Sequence, residues 1–229
     1  QFIIILISRF ILMKKRGLAI SCKSTINMSQ INIMSNLSWY YNWSTNPGDA
    51  ISPRIEFVPM IWKKCSNQEF TKINKMYEKG LIKYVLCINE PDLSSQANLT
   101  VDELIERWKL ITENLHSDIK LVSPALASFT NYKTYFQQFI DGIKKLNLRK
   151  PDFIAMHIYG SLKSDHNKII DDVYDMYKID IWLTEFAPFH GTSKKDQKTI
   201  LNETKKIISE LQMNPHVFRY ALFGCSNKT

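Results

Sequence analysis

The chain has 229 residues, 45% of them hydrophobic, enough for one core of the larger single-domain kind. Its formal charge of +8 comes from 30 basic against 22 acidic residues. The cations are scattered and mostly Lys, without the clustered Arg/Lys stripe and interleaved aromatics of a nucleic-acid track, so no nucleic-acid partner is expected.

The amino end carries Phe2-Ile3-Ile4-Ile5-Leu6-Ile7 and Phe10-Ile11-Leu12-Met13, interrupted by Arg9 and followed by Lys14-Lys15-Arg16. That run falls short of the ~20 apolar residues of a membrane span. Residues 1–14 read as a leader or signal-like remnant, with an extra apolar strand as the alternative. Residues 15–229 read as a single domain, since no linker composition, like-charge block or internal repeat divides them.

In chain order, a first strand spans Arg16 to Ile20, a weak helix lies around Ser24 to Met34, and a second strand covers Leu37 to Tyr41. Asn46-Pro47-Gly48-Asp49 and Ser52-Pro53 mark a loop too short for a crossover helix. A third strand, Glu56 to Trp62, contains Pro59, which weakens its ladder. A helix from about Asn67 to Lys79 stops at Gly80 and leads into a fourth strand, Lys83 to Asn89, with Glu90 where it ends.

Thr100-Val101-Asp102-Glu103 matches a capping box and opens a helix with Leu104, Ile105, Trp108 and Ile111 on one face. Strand five is Lys120 to Pro124. The aromatic stripe Tyr132, Tyr135, Phe136, Phe139, Ile140 and Ile143 reads as a helix face packed on a sheet.

Strand six, Phe153 to Gly160, alternates: Phe153, Ala155, His157 and Tyr159 should face inward, Ile154, Met156 and Ile158 toward helices. A helix from about Asp165 to Tyr177 follows. Strand seven, Asp180 to Thr184, ends at Glu185; a helix from about Lys194 to Gln212 and a final strand, Phe218 to Phe223, complete the order.

Strands mostly separated by helices fit an α/β (β/α)8 TIM-type barrel, irregular in lacking a helix after strand two and truncated after the last strand. An open doubly wound sheet would usually carry a Gly-rich phosphate turn, and the seven glycines form none. The four cysteines show no metal-ligand spacing, so neither metal nor cofactor is expected. Cys22 and Cys225 follow strands one and eight, neighbours in a closed barrel, which makes a disulfide between them an expectation. Asn27, Asn36, Asn42, Asn98, Asn202 and Asn227 begin Asn-x-Ser/Thr triplets, acceptors only in a secreted glycoprotein.

Barrel active sites lie at the carboxyl ends of strands. Glu90 and Glu185 both stand there, on strands four and seven, across the mouth from each other. A glutamate is costly at the edge of a core, and a facing pair is what glycoside hydrolysis requires.

Eight stretches in order carry a family resemblance: Lys15-Arg16-Gly17-Leu18-Ala19, Ser38-Trp39-Tyr40-Tyr41-Asn42-Trp43, Glu56 to Trp62, Asn89-Glu90-Pro91-Asp92, Leu121 to Ala125, His157-Ile158-Tyr159-Gly160, Leu183-Thr184-Glu185-Phe186-Ala187 and Arg219 to Gly224. In these the chain resembles glycoside hydrolase family 128, the Asl1-like glycosyl hydrolases, which are β-1,3-glucanases.

The resemblance implies a retaining glycosidase cleaving β-1,3-glucan, secreted or in the cell wall and monomeric, with a polysaccharide as its partner. By matching motif, Glu90 would be the acid/base and Glu185 the nucleophile, with carboxyl groups about 5–5.5 Å apart. Asn89 would contact the sugar 2-hydroxyl. Tyr159 would keep Glu185 ionised, Trp43 and Trp62 would offer ring faces to glucose, and His157 would support the site, whereas Trp39 is as well suited to core packing.

The family often carries Trp where Ile158 and Leu222 stand, Gly where Cys87 stands, and Gly where Lys63 stands. Those losses of aromatic surface motivate an alternative, a non-catalytic cell-wall or glucan-binding barrel.

Overall fold

The computed structural model describes residues 15–20, 37–48, 55–160, 165–188 and 196–223. Its strands are β1 (Arg16–Ala19), β2 (Trp39–Tyr41), β3 (Glu56–Phe57), β4 (Met60–Ile61), β5 (Tyr84–Cys87), β6 (Lys120–Val122), β7 (Ile154–Tyr159), β8 (Ile181–Ala187) and β9 (Val217–Phe223). Its helices are α1 (Asn67–Glu78), α2 (Val101–Asn114), α3 (Tyr135–Lys145), α4 (His166–Tyr177) and α5 (Gln197–Met213).

Every strand pairing is parallel, in the orders β3-β2-β1-β9-β8-β7 and β4-β5-β6. The two runs meet twice. Ser123 N–H donates to the Phe153 carbonyl (2.9 Å), and Val122 with Phe153 and Leu126 with Met156 form parallel bridges that join β6 to β7.

On the other side, Pro59 divides the expected third strand. Val58 N–H donates to Tyr40 in the direction of β2, while the Pro59 carbonyl accepts from Leu86 of β5. A proline has no N–H to continue a ladder. The stave changes partner there, so nine short strands make an eight-stave barrel.

Alternation along the staves sorts side chains into two cores. Ala155 of β7 joins Trp39, Tyr41, Met60 and Trp182 inside the barrel, whereas Ile154, Met156 and Ile158 pack with the helices, as the alternation of strand six predicts. Inside, Gly17 is required by crowding: a Cβ there would stand 2.1 Å from Cε2 of the fully buried Trp39 indole.

The helices begin where capping chemistry tells them to. Thr100 and Glu103 form the expected capping box, Ser66 and Glu69 form a second, and Asp165 and Asp196 cap α4 and α5. Each such cap is worth about 1 kcal/mol. The aromatic stripe buries Phe136, Phe139 and Ile143 on α3, but Tyr132 belongs to a preceding 3-10 turn, Phe129–Lys133.

At the amino-terminal end of the staves, Arg219 lies inside the barrel. Its Nη2 donates to Glu56 (2.6 Å), and its guanidinium stands 4.8 Å from the centre of the Tyr84 ring and 5.0 Å from that of Trp182. A cavity of about 800 Å³ opens at this end, bounded by Lys15, Glu56, Tyr84 and Phe218. It lies away from both Glu90 and Glu185.

The weak helix, the leader 1–14, and Cys22 with Cys225 lie outside the described residues. Cys65 and Cys87 are buried free thiols, Cys65 pushed up to about 12 and Cys87 well above its ordinary value, both chiefly by burial. Asn42 is a poor glycan acceptor, because it is buried and its amide donates to the Asn46 carbonyl (2.7 Å), whereas Asn98 and Asn202 are exposed. Among the described residues no helix is long and apolar enough to cross a membrane.

Candidate active site

Glu90 follows β5 on a backbone with two left-handed residues, Ile88 (φ 50°) and Glu90 itself (φ 43°). Such conformations cost on the order of 1–3 kcal/mol each for non-glycine residues. Hydrogen bonds from both sides hold them: Ile88 N–H to Ile61 O (2.7 Å), Asn89 N–H to Trp62 O (3.0 Å), and Glu90 N–H to Ala125 O (2.8 Å). Two residues on, Asp92 accepts from Ala127 N–H (2.9 Å) and the Asn131 amide (2.8 Å), fastening this segment to the one after β6.

Glu185 reaches the same place differently. Sequence reading puts it just past its strand, yet it lies within β8. Trp182 faces the interior and Leu183 the helices, so strict alternation would turn Glu185 outward with Leu183. The register of β7 against β8 shifts between Met156 and His157, which pair with Leu183 and Glu185, leaving Thr184 as an extra residue. This bulge turns Glu185 back to the inside.

There its carboxylate is heavily donated to. Tyr41 Oη (2.9 Å) and Trp43 Nε1 (2.8 Å) donate to Oε1, and the Tyr159 hydroxyl donates to Oε2. Burial first, and the facing Glu185 second, raise the pKa of Tyr41 and of Tyr159, so both remain donors.

His157 stands between the two glutamates: Nδ1 is 2.7 Å from Glu90 Oε1 and 3.5 Å from Glu185 Oε2. Burial alone would lower the imidazole's pKa, but the charges of Glu185 and Glu90 outweigh it and hold it above its ordinary value. One ligand-capable atom from each of the three residues lies within 4.8 Å of the others. Such spacing would also suit a metal ion. Here each Glu185 oxygen already accepts from Tyr or Trp donors and Nδ1 faces Glu90, an arrangement fitted to handling protons.

The structure joins five of the seven sequence-named site residues through their side chains: Glu90, His157, Glu185, Tyr159 and Trp43. Asn89 stands beside Glu90 in the chain, with its side-chain amide donating to Gln96 (3.3 Å). Trp62 is partly buried against the interior cluster and joins through its backbone carbonyl. Trp43, expected as a sugar platform, is a donor to Glu185, and Trp39 is fully buried core.

Tyr41 escaped the sequence reading, although its position two residues from the inward Trp39 was the available signal. Phe223 escaped it too. Phe223 is 39% exposed at the mouth and meets Trp43 and Tyr159 edge to face. Ile158 and Leu222 pack with the helix-side core, so the absence of Trp at those positions does not strip the mouth of aromatic surface.

The glycosyl hydrolase catalytic core family matches residues 17–229. The chain is 26% identical over 177 residues to alkali-sensitive linkage protein 1 of Schizosaccharomyces pombe, covering 76% of this chain and 31% of that protein. The chain thus spans about a third of that relative's length. Among solved structures, it superposes with a TM-score of 0.78 and 26% identity on a subgroup I GH128 endo-β-1,3-glucanase from Amycolatopsis mediterranei in complex with laminaritriose, over 93% of this chain and 89% of that one. A curdlan-specific exo-β-1,3-glucanase of GH128 subgroup III from Blastomyces gilchristii, in complex with glucose, gives 0.76 and 28% over 91% and 89%.

Proposed function

The chain belongs to the glycosyl hydrolase catalytic core family, and on that footing we propose that it hydrolyses β-1,3-glucan with retention of configuration, through Glu90 and Glu185. The observation that carries this reading is the approach of the two carboxylates to within 4.8 Å at the carboxyl ends of β5 and β8. That proximity supports the short carboxyl separation of retaining enzymes, about 5–5.5 Å, over the 6.5–9.5 Å of inverting ones.

In the first step Glu90 gives its proton to the glycosidic oxygen as the bond to C1 breaks, and a Glu185 oxygen attacks C1. In the second, Glu90 takes a proton from water, the water oxygen bonds to C1, and Glu185 leaves. Three side-chain donors hold the Glu185 carboxylate in a fixed orientation, as a nucleophile needs. The Glu90 oxygen away from His157 has no protein partner among the described residues, which suits a proton kept for substrate.

Asn89 Oδ1 is a buried acceptor without a partner, in keeping with a role toward a sugar hydroxyl. Phe223 supplies ring surface against Trp43 and Tyr159, the donors to Glu185, and Trp62 is the second candidate for a glucose ring. The glucan as substrate rests on the named activities of the family 128 relatives. We assign the site to one barrel domain over residues 15–229, acting as a secreted or wall-associated monomer.

Purified protein incubated with laminarin tests this directly. Reducing ends should accumulate with the wild type and fall to background with Glu90→Gln or Glu185→Gln. Laminarin binding with no reducing-end release by the wild type would replace the enzyme with a glucan-binding barrel.

A further inference from the structure

Nothing in the retaining scheme requires a histidine, yet His157 is wedged between its two carboxylates with a side chain of zero exposure. Its two ring nitrogens have opposite surroundings. Nδ1 faces Glu90 Oε1 at 2.7 Å and Glu185 Oε2 at 3.5 Å, while Nε2 is buried with no hydrogen-bond partner.

Carboxylate oxygens face Nδ1 and nothing accepts from Nε2, so the single proton of a neutral ring gains a hydrogen bond at Nδ1 and none at Nε2. His157 sits opposite Glu185 across the bulge, which brings its ring between the two carboxylates. The geometry points to His157 as a positioning residue: a neutral imidazole protonated at Nδ1 that donates to Glu90 Oε1 and confines the catalytic proton to Oε2, on the substrate side.

The groups that face it are Glu90 and, further off, Asp92 from the segment after β5, and Glu185 from β8. Tyr41 of β2 and Tyr159 of its own strand hold Glu185. Two ionised glutamates draw a second proton toward the ring. Once Glu90 carries the catalytic proton its charge no longer draws a second proton to the ring, and burial then works for the neutral imidazole against Glu185 alone.

Through the reaction His157 keeps its proton. When Oε2–H is given to the leaving oxygen, Nδ1–H remains on Oε1 and steadies the new carboxylate; when water is deprotonated, the proton returns to Oε2. The inference rests on the glycosidase reading and separates from it experimentally.

The first arm needs no activity. In 15N-histidine NMR of the whole chain, the signal that disappears in His157→Asn should show a protonated Nδ1 and a bare Nε2. A protonated Nε2 while Glu90 carries its proton overturns the proposal.

The second arm compares leaving groups. His157→Asn places an amide N–H where Nδ1 stood and should retain clearly more activity than His157→Gln, which places it where Nε2 stood. His157→Gln should lose roughly 10²-fold in kcat/KM on laminarin, the scale of general acid assistance. On a dinitrophenyl β-laminaribioside, whose leaving group needs no proton, the loss should nearly vanish. Equal losses on both substrates, or equal behaviour of the Asn and Gln variants, would assign His157 to packing alone. Should the wild type cleave neither substrate, the glycosidase reading fails while the NMR arm still decides the tautomer.

Discussion

Glu185 faces His157 across adjacent strands because Thr184 is one residue more than the ladder needs. Trp182 and Glu185 are three apart yet both point into the barrel. In a regular strand, odd offsets point to opposite faces. The bulge therefore places a carboxylate among donors, where otherwise it would enter the apolar helix-side core.

Tyr159 gives the most direct handle on that carboxylate. Replacing it with Phe removes one charge-assisted hydrogen bond to Oε2 while Tyr41 and Trp43 still serve Oε1. A bond to a charged group is worth about 1.5–3 kcal/mol, so kcat/KM should fall roughly 10- to 100-fold. An unchanged kcat/KM in Tyr159→Phe would argue against the hydrogen bond.

Gly17 makes a prediction about stability alone. A methyl at its Cβ position collides with the Trp39 indole, which is pinned by its Nε1 bond to the Lys15 carbonyl (3.1 Å) and by an edge contact with Trp182 (5.0 Å between ring centres). Overpacking of this kind costs about 1–3 kcal/mol. Gly17→Ala should melt several degrees lower by circular dichroism; an unshifted melting temperature would mean that the interior has slack.

Asp152 predicts how the fold responds to acid. Its carboxylate accepts from Leu121 N–H (2.9 Å), Lys120 Nζ (2.9 Å) and Arg149 Nη2 (2.7 Å). Burial works to raise its pKa, but these partners hold it below the ordinary carboxylate value. The unfolded chain then takes up the proton first, so the contribution is complete above the unfolded value of about 4 and is lost as pH falls through the lower folded value. Asp152→Asn should lower the melting temperature at pH 6 and narrow its gap from the wild type toward pH 2. A gap constant across that range would contradict this sign.

The scaffold was legible in the sequence where a local signal coincides with a tertiary one. The capping box at Thr100 marks the start of α2. The alternation of Phe153 to Tyr159 separates His157 and Tyr159 from the helix-facing residues. In the last strand Phe218 is an extra residue at a register shift, so alternation counted from it does not place Phe223 at the mouth. Other features had no local sign. Neither Ile88 nor Glu90 is a residue type that announces a left-handed backbone, because the strain is held by hydrogen bonds from Ile61, Trp62 and Ala125, distant in sequence. Nor does anything in Leu183-Thr184-Glu185 declare a bulge. Pro59 announced a weak ladder, but its effect, a change of neighbour from β2 to β5, depends on the closure of the whole barrel.

If Glu185 is the nucleophile and Glu90 the acid/base, the anomer first released from the glucan reports it. Proton NMR recorded during the opening minutes of laminarin cleavage, before mutarotation, should show β-configured reducing ends accumulating ahead of α. Reducing ends that first appear as the α-anomer would mean that water attacks C1 directly, and Glu185 would not be the nucleophile described above.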